Sequence, residues 1–281
     1  MAAKETSTAA PAQTYAVELL FAEAPQPNRE ALLARLREHV GPVESPAEGK
    51  AALQFFFPEH LVQFSEGKLP AQLALLASEK AYSVTPEALA DLQQSWLWPE
   101  ANDALRHCRY SLLLTDLMSS LLPYQERVEL FCAGLRAVLE VVSCQALHWR
   151  PSGQFVDPTR FVAGWRESLL GERLYGVINV RFFNITDTGE RLMDSLGLAA
   201  LGLRDVQCHF RDLDPGEVAR ALFNTAWYLY EKGDVIEDGH TVPGLGAHEK
   251  WGCAHRQALV APERRVIDLD PGPRYAAGED A

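Results

Sequence analysis

Cysteine is scarce in this sequence, and its few cysteines are not spaced for a metal or redox site. Five of the 281 residues are cysteine, an odd number, and no two of them form a C-x-x-C pair. Most lie inside apolar runs, which is typical of buried free thiols in a reducing compartment. The five are Cys108, Cys132, Cys144, Cys208 and Cys253. This pattern predicts a cytoplasmic protein.

Long hydrophobic runs are also missing. No window approaches the ~18 uninterrupted apolar residues that a membrane-spanning helix needs. Residues 1–13 are rich in Ala, Thr and Ser and lack the apolar core of a signal peptide. We expect residues 1–13 to be a disordered tail, residues 271–281 to be a second tail, and the protein to have no membrane partner.

Basic residues are outnumbered by acidic ones. The chain has 26 Lys and Arg against 38 Asp and Glu, a formal net charge of −12. A chain with this balance is a poor general binder of phosphate backbones, so no nucleic-acid partner is expected. Because 47% of the residues are hydrophobic, the chain has enough apolar side chains for a packed core, and intrinsic disorder is excluded.

The common cofactor and catalytic motifs are absent. The sequence has no G-x-G-x-x-G after a strand, no phosphate loop ending in G-K-[ST], no G-x-S-x-G elbow and no H-E-x-x-H. Cys208 and His209 are neighbours, and on a strand they would point to opposite faces, so they cannot act as a nucleophile and base pair. We therefore expect no cofactor and favour a non-enzymatic function, although an enzyme is not excluded.

Hydrophobic periodicity predicts an α/β (α+β) fold made of repeated ferredoxin-like βαββαβ units with mixed or antiparallel sheets. The first unit is expected at residues 14–118 and the second at 119–270. The first has strands predicted at 15–21, 51–57, 61–64 and 110–115, a helix capped by Asn28, and a helix opened by Thr85 with Leu89, Leu92 and Trp96 inward.

The second unit contains the helix with the strongest apolar stripe in the chain, which follows Pro123. A helix over 158–169 and the longest strand, over 175–185, are predicted next. A further helix is expected to begin after the capping residue Asp214 and to end at Gly233. Short strands or extended segments are predicted around it.

Acidic residues are densest at the C-terminal end, where residues 205–281 contain 14 acidic and 8 basic residues. A turn-rich stretch there concentrates carboxylates and histidines, and a solvated loop is its ordinary interpretation. Our sharper hypothesis is an acidic rim that docks a protein with a basic surface. The predicted contact residues are Asp234, Glu237, Asp238, His240, His248, Glu249 and Trp251.

The same stretch leaves a metal-dependent hydrolase open as the alternative. Imidazole and carboxylate groups are competent ligands for zinc-like metals. The ligand spacing does not match a structural zinc site, and Asp-Pro-Gly after residue 269 is ordinary turn chemistry. We therefore predict no metal, while the residues of the alternative are His240, His248, His255, Asp268 and Asp270. Asp268 and Asp270 would share one face of a strand.

Two polar residues interrupt the apolar face of the predicted longest strand. Asn179 and Arg181 share a side with Val177, Phe183 and Ile185. An unpaired buried charge is expensive, so an internal ion pair is the favoured interpretation for Arg181. A weaker hypothesis makes Asn179 and Arg181 ligand-binding residues in a cleft between the α/β units.

Three C-terminal segments carry a family resemblance. They are residues 205–220 (DVQCHFRDLDPGEVAR), 224–230 (NTAWYLY) and 233–242 (GDVIEDGHTV). Together they resemble the bacterial domain-of-unknown-function family numbered four-two-six-one, with a signature over roughly residues 190 to 275. The resemblance implies a cytoplasmic bacterial protein that acts as an immunity or accessory protein for a secreted toxin of the type VI or polymorphic class. It implies no catalytic residues.

Overall fold

The computed structural model describes residues 10–46, 52–166, 172–185 and 187–278. The fold is mixed α/β and contains two six-stranded sheets. The chain divides into an N-terminal unit, Ala12–Val177, and a C-terminal unit that begins at Ile178. The predicted boundary between residues 118 and 119 falls inside the N-terminal unit. No helix among the described residues is long and apolar enough to cross a bilayer.

The sheet of the N-terminal unit is antiparallel throughout and has the strand order β2-β3-β4-β1-β5-β6. In chain order the elements are β1 (Ala16–Phe21), α1 (Arg29–His39), β2 (Ala52–Phe64), β3 (Gly67–Ala77), α2 (Pro86–Gln93), α3 (Ala101–Leu105), β4 (Tyr110–Leu117), α4 (Tyr124–Val141), β5 (Ala146–Trp149), β6 (Gln154–Val156) and α5 (Pro158–Arg166).

Both faces of this sheet are covered. Helices α1 and α4 pack together, and Gly134 of α4 lies against Leu73 of β3. On the other face Leu20 of β1 clusters with Ala88 of α2 and Leu105 of α3. Alternate residues of β1 therefore face different helices, which explains why Leu19 and Leu20 are both fully buried.

The four central strands have the order β3-β4-β1-β5, with α1 following β1 and α4 connecting β4 to β5. This is a βαββαβ arrangement whose second helix is α4, whereas the sequence predicted the helix opened by Thr85. That helix, α2, ends at Gln93, and Leu89 and Trp96, which were predicted to point inward, are 50% and 46% exposed. The C-terminal unit is connected differently, so a repeat of ferredoxin-like units is not confirmed.

The C-terminal unit has the strand order β10-β11-β12-β9-β8-β7, antiparallel except where β12 pairs with β9. Its elements are β7 (Asn179–Asn184), β8 (Arg191–Leu196), β9 (Asp205–Phe210), α6 (Pro215–Lys232), β10 (Thr241–Pro243), β11 (Lys250–Gln257) and β12 (Arg265–Asp270). Residues 271–278 were predicted as a tail, but they lie beside the end of β9. The Arg211 N–H, directly after β9, is donated to the Tyr275 carbonyl.

Helix α6 begins and ends where its sequence predicts. The Asp214 side chain accepts the Glu217 N–H at 3.0 Å and Pro215 occupies the first turn. Gly233, at a φ of +83°, donates its N–H to the Leu229 carbonyl and ends the helix. The helix packs on β7, β8 and β9 through buried residues that include Val218 and Leu222.

Three predicted strands and one helix have different bounds in the structure. The longest strand is β2, with 13 residues, and β7 has only six. The segment 175–178 is not part of β7, since Gly176 adopts a φ of +92° that interrupts an extended strand. The strands predicted at 51–57 and 61–64 form the single strand β2, whose register shifts between Phe57 and Leu61. Ala51 and residues 167–169 lie outside the described residues.

Candidate functional site

The predicted contact residues lie on the connection from α6 through β10 to β11, but they are not all at the surface. Asp234 accepts a hydrogen bond of 2.5 Å from Nη1 of Arg204, and the Asp234 side chain is only 5% exposed. Its carboxylate is therefore the partner of a largely buried arginine and is not available as a contact residue. Its role is to fix the start of the loop after α6.

Glu237, Asp238 and His240 form an exposed turn after Asp234. The Glu237 N–H is donated to Nδ1 of His240 at 3.2 Å. The Asp238 carboxylate accepts the backbone N–H of His255 at 2.5 Å, and this bond holds the pKa of Asp238 below its ordinary range. The turn is thus an ordered acidic surface attached to β11.

His248 and Glu249 lie in the turn between β10 and β11, and Trp251 is the second residue of β11. Trp251 is fully buried, so its side chain cannot contact a partner in this structure. Its indole N–H is donated to Oε1 of Glu249 at 3.0 Å, and Oε2 accepts the Gly246 N–H at 2.8 Å. These two donors lower the pKa of Glu249, the indole having the larger effect. Glu249 is half-buried and His248 is exposed.

A groove of about 830 Å³ runs beside this connection, between α6 and residues 235–245, and we call it the α6 groove. Helix α6 lines one wall with residues that include Arg220 and Tyr228. Val235, His240 and residues further along the loop line the other wall. Tyr228 and Val235 are 47% and 45% exposed. Of the predicted contact residues, His240 therefore lines an open concave surface.

The residues of the metal alternative are not brought to one point. His240 uses Nδ1 to accept the Glu237 N–H, and Nε2 of His255 is 2.8 Å from the Ile236 carbonyl oxygen. Within the described ranges, no group of three or more His, Cys, Asp and Glu side chains is arranged to hold a metal ion. Asp268 and Asp270 do share one face of β12, as expected for alternate residues.

The internal ion pair predicted for Arg181 is present. Nε and Nη2 of Arg181 donate to the two carboxylate oxygens of Asp194 on β8, at 2.9 and 2.5 Å. Residues Arg181 and Asp194 face each other in the register of β7 and β8, so the pair crosses between adjacent strands. Asn179 is buried at the start of β7. The hypothesis that Asn179 and Arg181 bind a ligand stays a prediction.

A second arginine extends this pair into a buried network that sequence reasoning missed. Arg264 donates from Nη2 to Asp194 at 2.7 Å and from Nε to Asp205 at 3.1 Å. Asp205 also accepts the Ser195 hydroxyl and the backbone N–H of Leu198. Both carboxylates are fully buried. Burial raises the pKa of Asp205, and the Arg264 guanidinium opposes that rise.

The sheet face that α6 does not cover forms a larger groove of about 990 Å³, which we call the sheet groove. Gln207 and His209 of β9 point into it, while Val206, Cys208 and Phe210 of the same strand are fully buried. Gln207 donates its Nε2 to Oδ1 of Asp268 at 2.9 Å and accepts the Leu259 N–H on its Oε1 at 3.1 Å. Both ends of the Gln207 amide are therefore bound.

Charged groups lie along the sheet groove. Oδ2 of Asp268 is 3.8 Å from Nε of Arg256, and Nε2 of His209 is 3.2 Å from Oε2 of Glu190. Burial raises the pKa of Asp268, although Gln207 and then Arg256 oppose the rise. The sheet groove thus combines a carboxylate in a partly desolvated position with an amide that orients it.

One pattern in the sequence predicts the polar sheet face that lines the sheet groove. In residues 205–210 the polar residues Asp205, Gln207 and His209 alternate with Val206, Cys208 and Phe210. This period of two indicates a strand with one polar and one apolar face. Arg264 carried no comparable signal, because its partners are 59 and 70 residues away in the chain.

Comparison with known families agrees with the resemblance expected from the sequence. Residues 194–270 match the family model described as Domain of unknown function (DUF4261). This confirms the family resemblance over that segment. The match begins at Asp194 and ends at Asp270, so it includes the buried carboxylates and the polar floor of the sheet groove. No curated protein and no solved structure matches the chain.

Proposed function

We propose that this protein, whose C-terminal unit carries the DUF4261 match, works by binding a protein partner with a basic surface. The proposed docking surface is the α6 groove with the exposed turn of Glu237, Asp238 and His240. The observation that carries the proposal is the combination of exposed apolar side chains, Tyr228 and Val235, with adjacent exposed carboxylates. Apolar centres with polar rims are typical of protein interfaces.

The charge of this region favours a basic partner. Glu231, at the end of α6, is exposed together with Glu237 and Asp238, so three carboxylates lie within eight residues of the sequence. Exposed charges at an interface rim act mainly on the rate of association and on the choice of partner. The proposed surface would therefore accelerate encounter with a basic protein and repel acidic ones.

In its most concrete form the proposal makes this chain an immunity or accessory protein of a secreted toxin. That form comes from the family resemblance, and the acidic turn supports only the part that concerns a basic partner. The metal-dependent hydrolase stays an alternative that no specific observation in the described residues favours. Against that alternative, no three His, Cys, Asp or Glu side chains of the described ranges are arranged around one point where a metal ion could bind.

The test begins with capture of the partner from the source organism by the full chain, followed by association kinetics with the purified partner. The Glu231→Lys/Glu237→Lys variant changes two exposed carboxylates and leaves the bound carboxylates Asp234 and Asp238 intact. We expect its association rate to fall about tenfold at low ionic strength, and the difference to shrink at high salt.

The matched control is Glu66→Lys/Glu79→Lys, which reverses two exposed charges of the N-terminal unit. It has the same net charge as the test variant and should associate at close to the wild-type rate. Equal rates for the two variants at low salt would reject the α6 groove as the docking surface. Urea unfolding curves that overlay on the wild-type curve over the whole transition would exclude loss of folding as the cause.

A further inference from the structure

The sheet groove is an open face of the C-terminal unit that the proposed function does not use. It is lined by residues of β9, β11 and β12, by the apolar residues Phe183 of β7 and Leu192 of β8, and by Leu259 and Val260 of the connection from β11 to β12. A concave site with apolar walls and a few convergent polar groups is the usual form of a ligand pocket. At about 990 Å³ its volume suits a short peptide or a molecule of similar size.

The polar group at the floor is held in one orientation. Gln207 is only 1% exposed, and its two amide atoms are bound to Asp268 and to the backbone of residue 259. Asp268 therefore cannot turn without breaking a buried hydrogen bond. A binding site requires side chains that their neighbours hold in position before the ligand arrives, and Gln207 holds Asp268 in this way.

Among the residues that the structure describes, no cation lies within hydrogen-bond distance of Oδ2, the second carboxylate oxygen of Asp268. Nε of Arg256 is 3.8 Å away, and Arg256 is on the rim with a side chain that is 50% exposed. Asp270, on the same face of β12, adds a second carboxylate at the groove. A cation placed between these carboxylates would make charge-assisted hydrogen bonds in a partly desolvated place, where such bonds are strong.

We propose that the sheet groove binds a lysine or arginine side chain of an extended peptide. The cationic head lies at Asp268 and Asp270, and the aliphatic stem lies on the apolar wall that Leu259 and Val260 form. Long basic side chains suit such a site because their stems pack on apolar surface while their heads reach a polar group. The site borders the docking surface of the proposed function, because Gly239 and His240 line both grooves, whereas Asp268 and Asp270 line the sheet groove alone.

The test is a titration of the full chain with three blocked tripeptides, followed by NMR of backbone amides. The central residue is lysine, its uncharged analogue norleucine, or glutamate, between two alanines. We expect the lysine peptide to bind at least about tenfold more tightly than the norleucine peptide at low salt, and the glutamate peptide not to bind. Amide shifts should concentrate on β9, β11 and β12.

Two variants make the test specific. Asp268→Asn keeps an acceptor for Gln207 but removes the charge, and it should abolish the preference for lysine. Glu263→Gln removes an exposed charge of the same unit outside the groove and should leave the preference unchanged. If Asp268→Asn fails to fold, Asp270→Asn, at an exposed position, should reduce the preference by itself.

The proposal is overturned if lysine and norleucine peptides bind equally, if neither binds at millimolar concentration, or if the asparagine variants keep the lysine preference. The result is independent of the captured partner, because the peptides are tested without it. Loss of partner association in Glu231→Lys/Glu237→Lys, with lysine-peptide binding intact, would separate the two sites.

Discussion

Arg264 is the residue on which the buried charges of the C-terminal unit depend most. Replacing it by methionine keeps most of the side-chain volume but removes the guanidinium from Asp194 and Asp205. Asp194 keeps its bidentate partner Arg181, whereas Asp205 keeps only uncharged donors, among them the Ser195 hydroxyl. Breaking a buried ion pair by removing one partner costs about 3–5 kcal/mol, so we expect Arg264→Met to destabilise the unit by that amount at neutral pH.

The destabilisation should depend on pH in a defined direction. Burial raises the pKa of Asp205 above its ordinary value of 3.8, so between pH 3.8 and the folded pKa the folded unit holds a proton on this group that the unfolded chain has lost. Stability therefore falls as the pH rises from 3.8 through the folded pKa. Without Arg264 the folded pKa rises further, and the deficit of the variant should be largest at neutral pH and smaller near pH 4.

Hydrogen exchange measured by mass spectrometry is the appropriate assay, because the chain has two units and one unfolding midpoint does not describe both. The expected loss corresponds to roughly 10²- to 4 × 10³-fold faster exchange in β8, β9 and β12. Peptides from β1 and β4 should be unaffected. The control Arg265→Met removes the exposed arginine that follows Arg264, at the first position of β12, and should change stability by less than about 0.5 kcal/mol.

Equal exchange rates of the Arg264→Met and Arg265→Met proteins at neutral pH would show that the Arg264 guanidinium does not stabilise the C-terminal unit. A loss of stability in Arg264→Met that grows on acidification would show that protonation of Asp205 does not compensate for the missing guanidinium.

Three further predictions concern single residues in both units. Gly176→Ala places a Cβ 2.4 Å from the Trp149 ring at a φ of +92°. It should cost the N-terminal unit about 2–4 kcal/mol, measured by hydrogen exchange in β1 and β5, and more than Gly67→Ala, whose added Cβ has no neighbour within 4 Å. Glu249, whose pKa lies below its ordinary 4.5, contributes stability that is present above that value and lost as the pH falls, so Glu249→Gln should flatten the acid limb of the C-terminal unit's stability curve. Burial raises the pKa of Cys144 to about 12, so its alkylation in the native protein at neutral pH should be roughly 10³-fold slower than in urea, as mass spectrometry would show.

Local signals in the sequence predicted the strong helices well. Asn28 and Asp214 cap α1 and α6 as expected, because a cap depends only on residues three positions away. The connection of strands was less predictable. The segment opened by Thr85 has good helix signals, yet the second helix of the βαββαβ arrangement is α4, since the choice depends on which helix packs beside α1.

Part of the candidate site was also predictable, because it depends on local features of the sequence. The turn of Glu237 and Asp238 was located correctly as exposed and acidic, because turns with dense charge are solvated. The burial of Asp234 and Trp251 could not be predicted from their neighbours in the sequence. Asp234 is buried with its ion-pair partner Arg204, and Trp251 is buried by the tertiary packing of the C-terminal unit. The ion pair of Arg181 was expected, but its partner Asp194 was identified only when the register of β7 and β8 was known.

The most direct test of the proposed function is hydrogen exchange of the full chain with and without its purified partner. We predict protection in residues 228–243, which cover the end of α6 and the exposed turn, with no change in β2 and β3 of the N-terminal unit. Protection confined to the N-terminal unit, with residues 228–243 exchanging as in the free chain, would contradict the account.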